Sequence, residues 1–185
     1  LGHSFNEEEM IDKDLLTLLD EGRLIYVSSL VLGLNDALVE LSGAIAGFTF
    51  AMRNNSLVAL AGIITGISAS LSMAATEFVA TRTDTKTSRK TPFTAAIITG
   101  ITYIGTVTLM VLPYLLLPDE YYLLALLIML TVVISIIAIF SFYVSVTNGT
   151  NFKRQFGSMA LISLSVAFIS FVLGVVVKNA LNIEI

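Results

Sequence analysis

Of the 185 residues, 56% are hydrophobic and 13% are charged, with a mean hydropathy of +0.89; soluble domains carry roughly 25% charge, so a water-soluble fold is excluded for want of polar surface to cover it. The chain has no cysteine, which excludes disulfides and thiolate metal sites. A net charge of −4 is less informative than where the charges lie, and no nucleic-acid partner is expected.

Leu1, Gly2, His3 and Ser4 open the chain, and residues 1–5 read as a tag remnant. His3, the sole histidine, is taken as vector-derived or solvated and not as a ligand. The acidic start, with no basic flank before an apolar core, predicts no cleaved secretory signal. Residues 6–24 place Ile11, Leu15, Leu18 and Leu19 at helical spacing, with Glu7, Glu8, Glu9, Asp12 and Asp20 elsewhere around the wheel. This pattern predicts an amphipathic cytoplasmic or interfacial helix. Its acid run fits a metal-collecting face, and it fits better a solvated helix start at the positive end of the helix dipole.

Residues 25–185 form the membrane domain. A helix needs about 20 mostly apolar residues to cross the hydrocarbon core, and five runs qualify, near 25–52, 56–80, 92–116, 121–146 and 156–180. The fold class is therefore an all-α membrane protein of five transmembrane helices. The connectors are short: 52–56, 81–91, 116–120 and 147–155. Basic residues concentrate on the cytoplasmic side of short loops. With the N-terminus inside, Lys13, Arg23, Arg82, Lys86, Arg89, Lys90, Lys153 and Arg154 lie inside, against Arg53 and Lys178 outside. Eight against two favours N-in and C-out. The sequon at Asn148 then falls on the wrong face for glycosylation.

Pro92 suits the first turn of the third span, and Pro118 marks the following outer turn. Pro113, inside the apolar run, predicts a kink or early termination. Gly43 with Gly47, and Gly62 with Gly66, are small-xxx-small pairs that allow close helix approach in lipid; on this pattern the first two spans form the packed functional core. The fourth span, almost entirely bulky and apolar, reads as a lipid-facing wall. Ser158, Ser163, Ser165 and Ser170 of the fifth either line an interface or bond back to their own helix.

The chemistry lies in three carboxylates within apolar spans: Asp36, Glu40 and Glu77. An ionised group in a bilayer is costly, so such residues normally face a protein interior or an ion path. Counted from Tyr26, Asp36 lies about 15 Å into the first span, near mid-membrane. Asp36 and Glu40 share a helix face at i, i+4, and Met73 and Glu77 repeat that spacing. If the two faces oppose, the four side chains converge, with Asn35, Thr65 and Thr76 as pathway-lining neighbours. Carboxylates with one thioether suit a borderline dication such as Fe(II), Mn(II) or Co(II). Adjacent carboxylates in a dry site repel, so the empty site is expected to hold protons that an entering cation displaces. Against this stand hydrated positions for Asp36 and Glu40 near the outer mouth, an interfacial Glu77 and a purely packing Met73.

These residues also carry a resemblance. VLGLNDALVELSGAIAGF (31–48) and GIITGISASLSMAATEFVATRTD (62–84) resemble the vacuolar iron transporter family. Its first two spans hold a G-x-S/N-D-G/A segment and a small-residue run ending in S-M-G/A-x-x-E-Y/F-L/V. The resemblance implies a homodimer of five-span subunits with the path between the two first spans. It further implies export of Fe(II), and often Mn(II), from the cytosol in exchange for protons, with no tightly bound cofactor and no enzymatic activity. It places Asp36 and Met73 on the path and matches Glu77 to a glutamate of many members. The implied membrane is the cell membrane in a prokaryote and a vacuolar-type membrane in a eukaryote. Two positions depart from the plant-type pattern: Glu40 stands where those members have proline, and Thr65 where they have glutamate. The glutamate-rich cytoplasmic insert is reduced to the basic loop 81–91, and the acidic 7–21 segment could be the stump of a fused ferritin-like domain. The alternative of another class is accordingly a non-transporting anchor for such a domain, and a third is a carrier of monovalent cations.

Overall fold

A computed structural model describes residues 26–83, 91–149 and 151–180; the expected tag remnant, the 6–24 helix and most of the basic loop lie outside the described residues. Five helices follow: α1 (Tyr26–Met52), α2 (Asn55–Thr83), α3 (Pro92–Leu116), α4 (Tyr122–Asn148) and α5 (Phe152–Ala180). All five are long and apolar enough to cross a membrane. Their bounds fall close to the apolar runs, with one shift. The helix α5 starts at Phe152 because Asn151 caps it, its Oδ1 accepting the Lys153 N–H at 3.1 Å. Capping carries the helix past the apolar window into the polar sequence, so Lys153 and Arg154 sit in its first turn.

The ends have local causes. Pro92 opens α3, where its missing N–H is harmless, and Gly149 closes α4 in the left-handed conformation at φ 64°. Arg53 ends α1 with φ 51°, its N–H bonded to the Thr49 carbonyl, so a two-residue turn leads into α2. Pro113 does not end α3 early: the helix runs on to Leu116, and the Leu117 N–H then caps back to the Pro113 carbonyl at 3.1 Å. At this end of the bundle Asn55 Nδ2 donates to the Pro118 carbonyl at 2.7 Å, and Asp119 Oδ1 accepts from the Ser56 N–H at 2.8 Å and the Ser56 hydroxyl at 2.9 Å. At the opposite end the Thr91 N–H donates to the Tyr26 hydroxyl at 3.1 Å.

Both glycine pairs make close contacts, but largely with other spans. Gly43 and Gly47 press against Val166 and Ser170 of α5, while Gly62 and Gly66 press against Val111 and Val107 of α3. The core built around α1 and α2 therefore recruits α3 and α5, and α3 is the helix that packs most closely on α2. In α4 one face is buried through Ala125, Met129, Val133 and Ile137, while Leu127, Ile139 and Phe142 look outward; only half of this span is a lipid-facing wall. Of the fifth-span serines, Ser158 bonds back to the Gln155 carbonyl, Ser163 is buried, and Ser170 lies at the glycine contact.

Candidate functional site

The backbone of α1 changes character at the first two carboxylates. Directly after Asp36, residues Ala37–Leu41 form a π-helical turn that contains Glu40. Such turns are rare and occur mostly as single bulges in α-helices, frequently at functional sites. Ala37, Leu38 and Leu41 of this turn are buried in the bundle. Glu40 is nonetheless exposed within the single chain, and Asp36 is half-buried. The two carboxyls lie four residues apart on α1, within electrostatic reach of each other. The hydroxyl of Tyr103, a fully buried side chain of α3, donates to Glu40 Oε2 at 3.3 Å.

Beside this pair a cleft of about 370 Å³ opens along α1, lined by Ser28, Val31, Leu32, Asn35, Asp36 and Val39. The Asn35 Oδ1 is buried and has no hydrogen-bond partner.

Glu77 stands apart from them. It is 7% exposed and accepts a hydrogen bond from the Ser29 hydroxyl at 2.5 Å, while the Ser29 carbonyl accepts one from Thr99 of α3 at 3.1 Å. Asp36 is seven residues beyond Ser29 on α1, or roughly 10 Å along the axis at 1.5 Å per residue. Met73, one turn from Glu77 toward the Asp36 level, packs against the apolar core. Thr65 is half-buried, and Thr76 is exposed with its hydroxyl bonded to the Ser72 carbonyl at 2.9 Å. Among the described residues of one chain, no three acidic or histidine side chains gather into a metal-sized cluster. Asp36 and Glu40 are thus brought together, and Glu77 is separated from them because the antiparallel register of α1 and α2 sets it at a different depth.

The arrangement can neutralise a dication with two carboxylates but supplies fewer oxygens than Fe(II), Mn(II) or a similar ion takes up. It also leaves Glu40 on the outside of one chain at mid-span. The residues not anticipated from the sequence are Tyr103 and Ser29. Tyr103 had a signal: a tyrosine inside an apolar span needs a partner for its hydroxyl.

The VIT family model matches residues 27–91, which hold α1 from its second residue, all of α2 and the connector to α3. No curated protein matches the chain.

Proposed function

From the VIT family match over residues 27–91, a family of metal transporters and not of enzymes, and from the five membrane-crossing helices of this multi-pass membrane protein, we propose that the chain exports Fe(II) or Mn(II) from the cytoplasm in exchange for protons. The observation that carries this reading is the Asp36–Glu40 pair at the π-helical turn, with Asp36 lining the cleft along α1 and Glu40 exposed within the single chain. A carboxyl left facing lipid is costly, and a second copy placed across a two-fold axis covers it while doubling every ligand. The functional unit in this reading is a homodimer joined through α1. Protons enter through charge balance, since a dication arriving between acidic groups in a low-dielectric interior replaces hydrogens and leaves the site near neutral. Glu77 and Met73 form an inner station that the ion meets before Asp36 and Glu40, given the N-in orientation favoured by the basic residues.

Proteoliposomes carrying a pH gradient test the proposal. The expected result is gradient-driven Mn(II) and Fe(II) flux, lost in Asp36→Asn and weakened in Met73→Leu. Absence of flux at every gradient would leave the anchor role, and a sodium flux indifferent to Met73→Leu would indicate a monovalent carrier.

A further inference from the structure

Asn35 contains an unexplained atom. Its Oδ1 is buried without a donor, whereas buried polar atoms in native proteins almost always have a partner. The same side chain lines the cleft beside Asp36. The terminal torsion of an asparagine is broad and roughly two-fold, so a half-turn of the amide brings this oxygen into the cleft with little change in the side chain's shape. A dication held by Asp36 and Glu40 is already balanced in charge, and what it still lacks is neutral oxygen. An asparagine carbonyl is such a ligand for hard and borderline cations.

We infer that Asn35 is a third, neutral ligand of the central site, its amide oxygen rotating onto the cation as it binds. This role rests on the transport reading above. The half-turn exchanges the positions of the amide oxygen and nitrogen, and the bond from the oxygen to the cation is what favours the loaded state. A purely structural asparagine would behave in the opposite way, because its loss would harm folding and leave metal affinity untouched.

The test is calorimetric titration of the full-length protein in detergent with Mn(II), paired with melting of the metal-free protein. Asn35→Leu should lower Mn(II) affinity about tenfold or more, a change of about 1.4 kcal/mol, without lowering the metal-free melting temperature. Asn35→Ser, which keeps an oxygen, should stay within about threefold of wild type, well under the 1.4 kcal/mol that marks a tenfold change. Equal affinity in wild type and Asn35→Leu overturns the inference, as does a lowered melting temperature with unchanged affinity. Should Asn35→Leu not fold, Asn35→Ala against Asn35→Ser makes the same comparison, and equal affinities there overturn it too. Wild-type protein that binds no Mn(II) overturns the transport reading itself, and with it this role for Asn35.

Discussion

The two halves of α1, on either side of the π-helical turn, are built on different principles. The C-terminal half is sealed: Ser42, Gly43, Ile45, Ala46, Gly47 and Thr49 are buried, and Thr49 shares a 2.8 Å hydrogen bond with the buried Tyr114 hydroxyl of α3. The N-terminal half is tied down by polar links, Ser29 to Glu77, Thr99 to the Ser29 carbonyl and Thr91 to Tyr26, and its other face is left open along the cleft at Asn35 and Asp36. Close packing in lipid makes the C-terminal half a fixed wall. Hydrogen bonds hold the N-terminal half from one side only, and in the transport reading the opposite side serves the ion. The carboxylate pair sits at the joint.

The sharpest way to break this contrast is to force the sealed half apart. A Cβ on Gly174 would lie 2.7 Å from the Gly47 carbonyl oxygen, a backbone atom that cannot swing aside. Gly174→Leu should therefore cost about 3 kcal/mol through overpacking, read as a large fall in melting temperature in detergent; a variant that melts like wild type would show that α5 does not clamp α1. At the joint, Glu40→Gln should reduce Mn(II) uptake about tenfold to a hundredfold, roughly 1.4–2.8 kcal/mol, while melting changes little. The reason is that glutamine keeps an oxygen for the Tyr103 hydroxyl and loses only the charge. Unchanged uptake would assign Glu40 to structure alone.

How much of this was legible beforehand depends on the range of the cause. Apolar runs near 20 residues are local, so the spans could be read directly, and the i, i+4 pairing of Asp36 with Glu40 is equally local. The partner of a glycine pair is not: a small-xxx-small pattern announces close approach without saying to which helix, and here the answer is α5 for Gly43 and Gly47 and α3 for Gly62 and Gly66. The π-helical turn leaves no mark in propensity or period. The depth of Glu77 lay between these cases. The connector at Arg53 and Asn54 is so tight that counting outward from it in an antiparallel pair sets Glu77 opposite the Ser29 region, two turns from Asp36. A shared face was visible in the residue spacing, but a shared depth required that count.

On the N-terminal half the links themselves can be cut. Ser29 is fully buried, and Ser29→Ala removes its 2.5 Å bond to Glu77. A lost buried hydrogen bond costs about 1–2 kcal/mol, expected as a moderate fall in melting temperature. Flux separates the roles of Glu77. If it is only a clasp between α1 and α2, Mn(II) uptake per folded protein stays near wild type; if it is the inner station, uptake falls as well, because the carboxyl is no longer held in place.

The smallest effect belongs to the turn that joins α3 to α4, where the contrast predicts a tie of no consequence for the ion. The Ser56 backbone N–H, and then its hydroxyl, hold the Asp119 carboxyl below its ordinary value of 3.8, although the group is fully exposed. A carboxyl whose acidity is strengthened by folding stabilises the fold once pH exceeds its unfolded value, and that contribution fades as pH falls through the lower folded one. Asp119→Ala should therefore melt slightly below wild type at pH 6, and the gap should close as the pH is taken below about 4, with flux unaffected throughout. A gap that persists in acid would mean that Asp119 acts through something other than its charge, and a change in flux would extend the ion path to a turn that the packing of α1 leaves out of it.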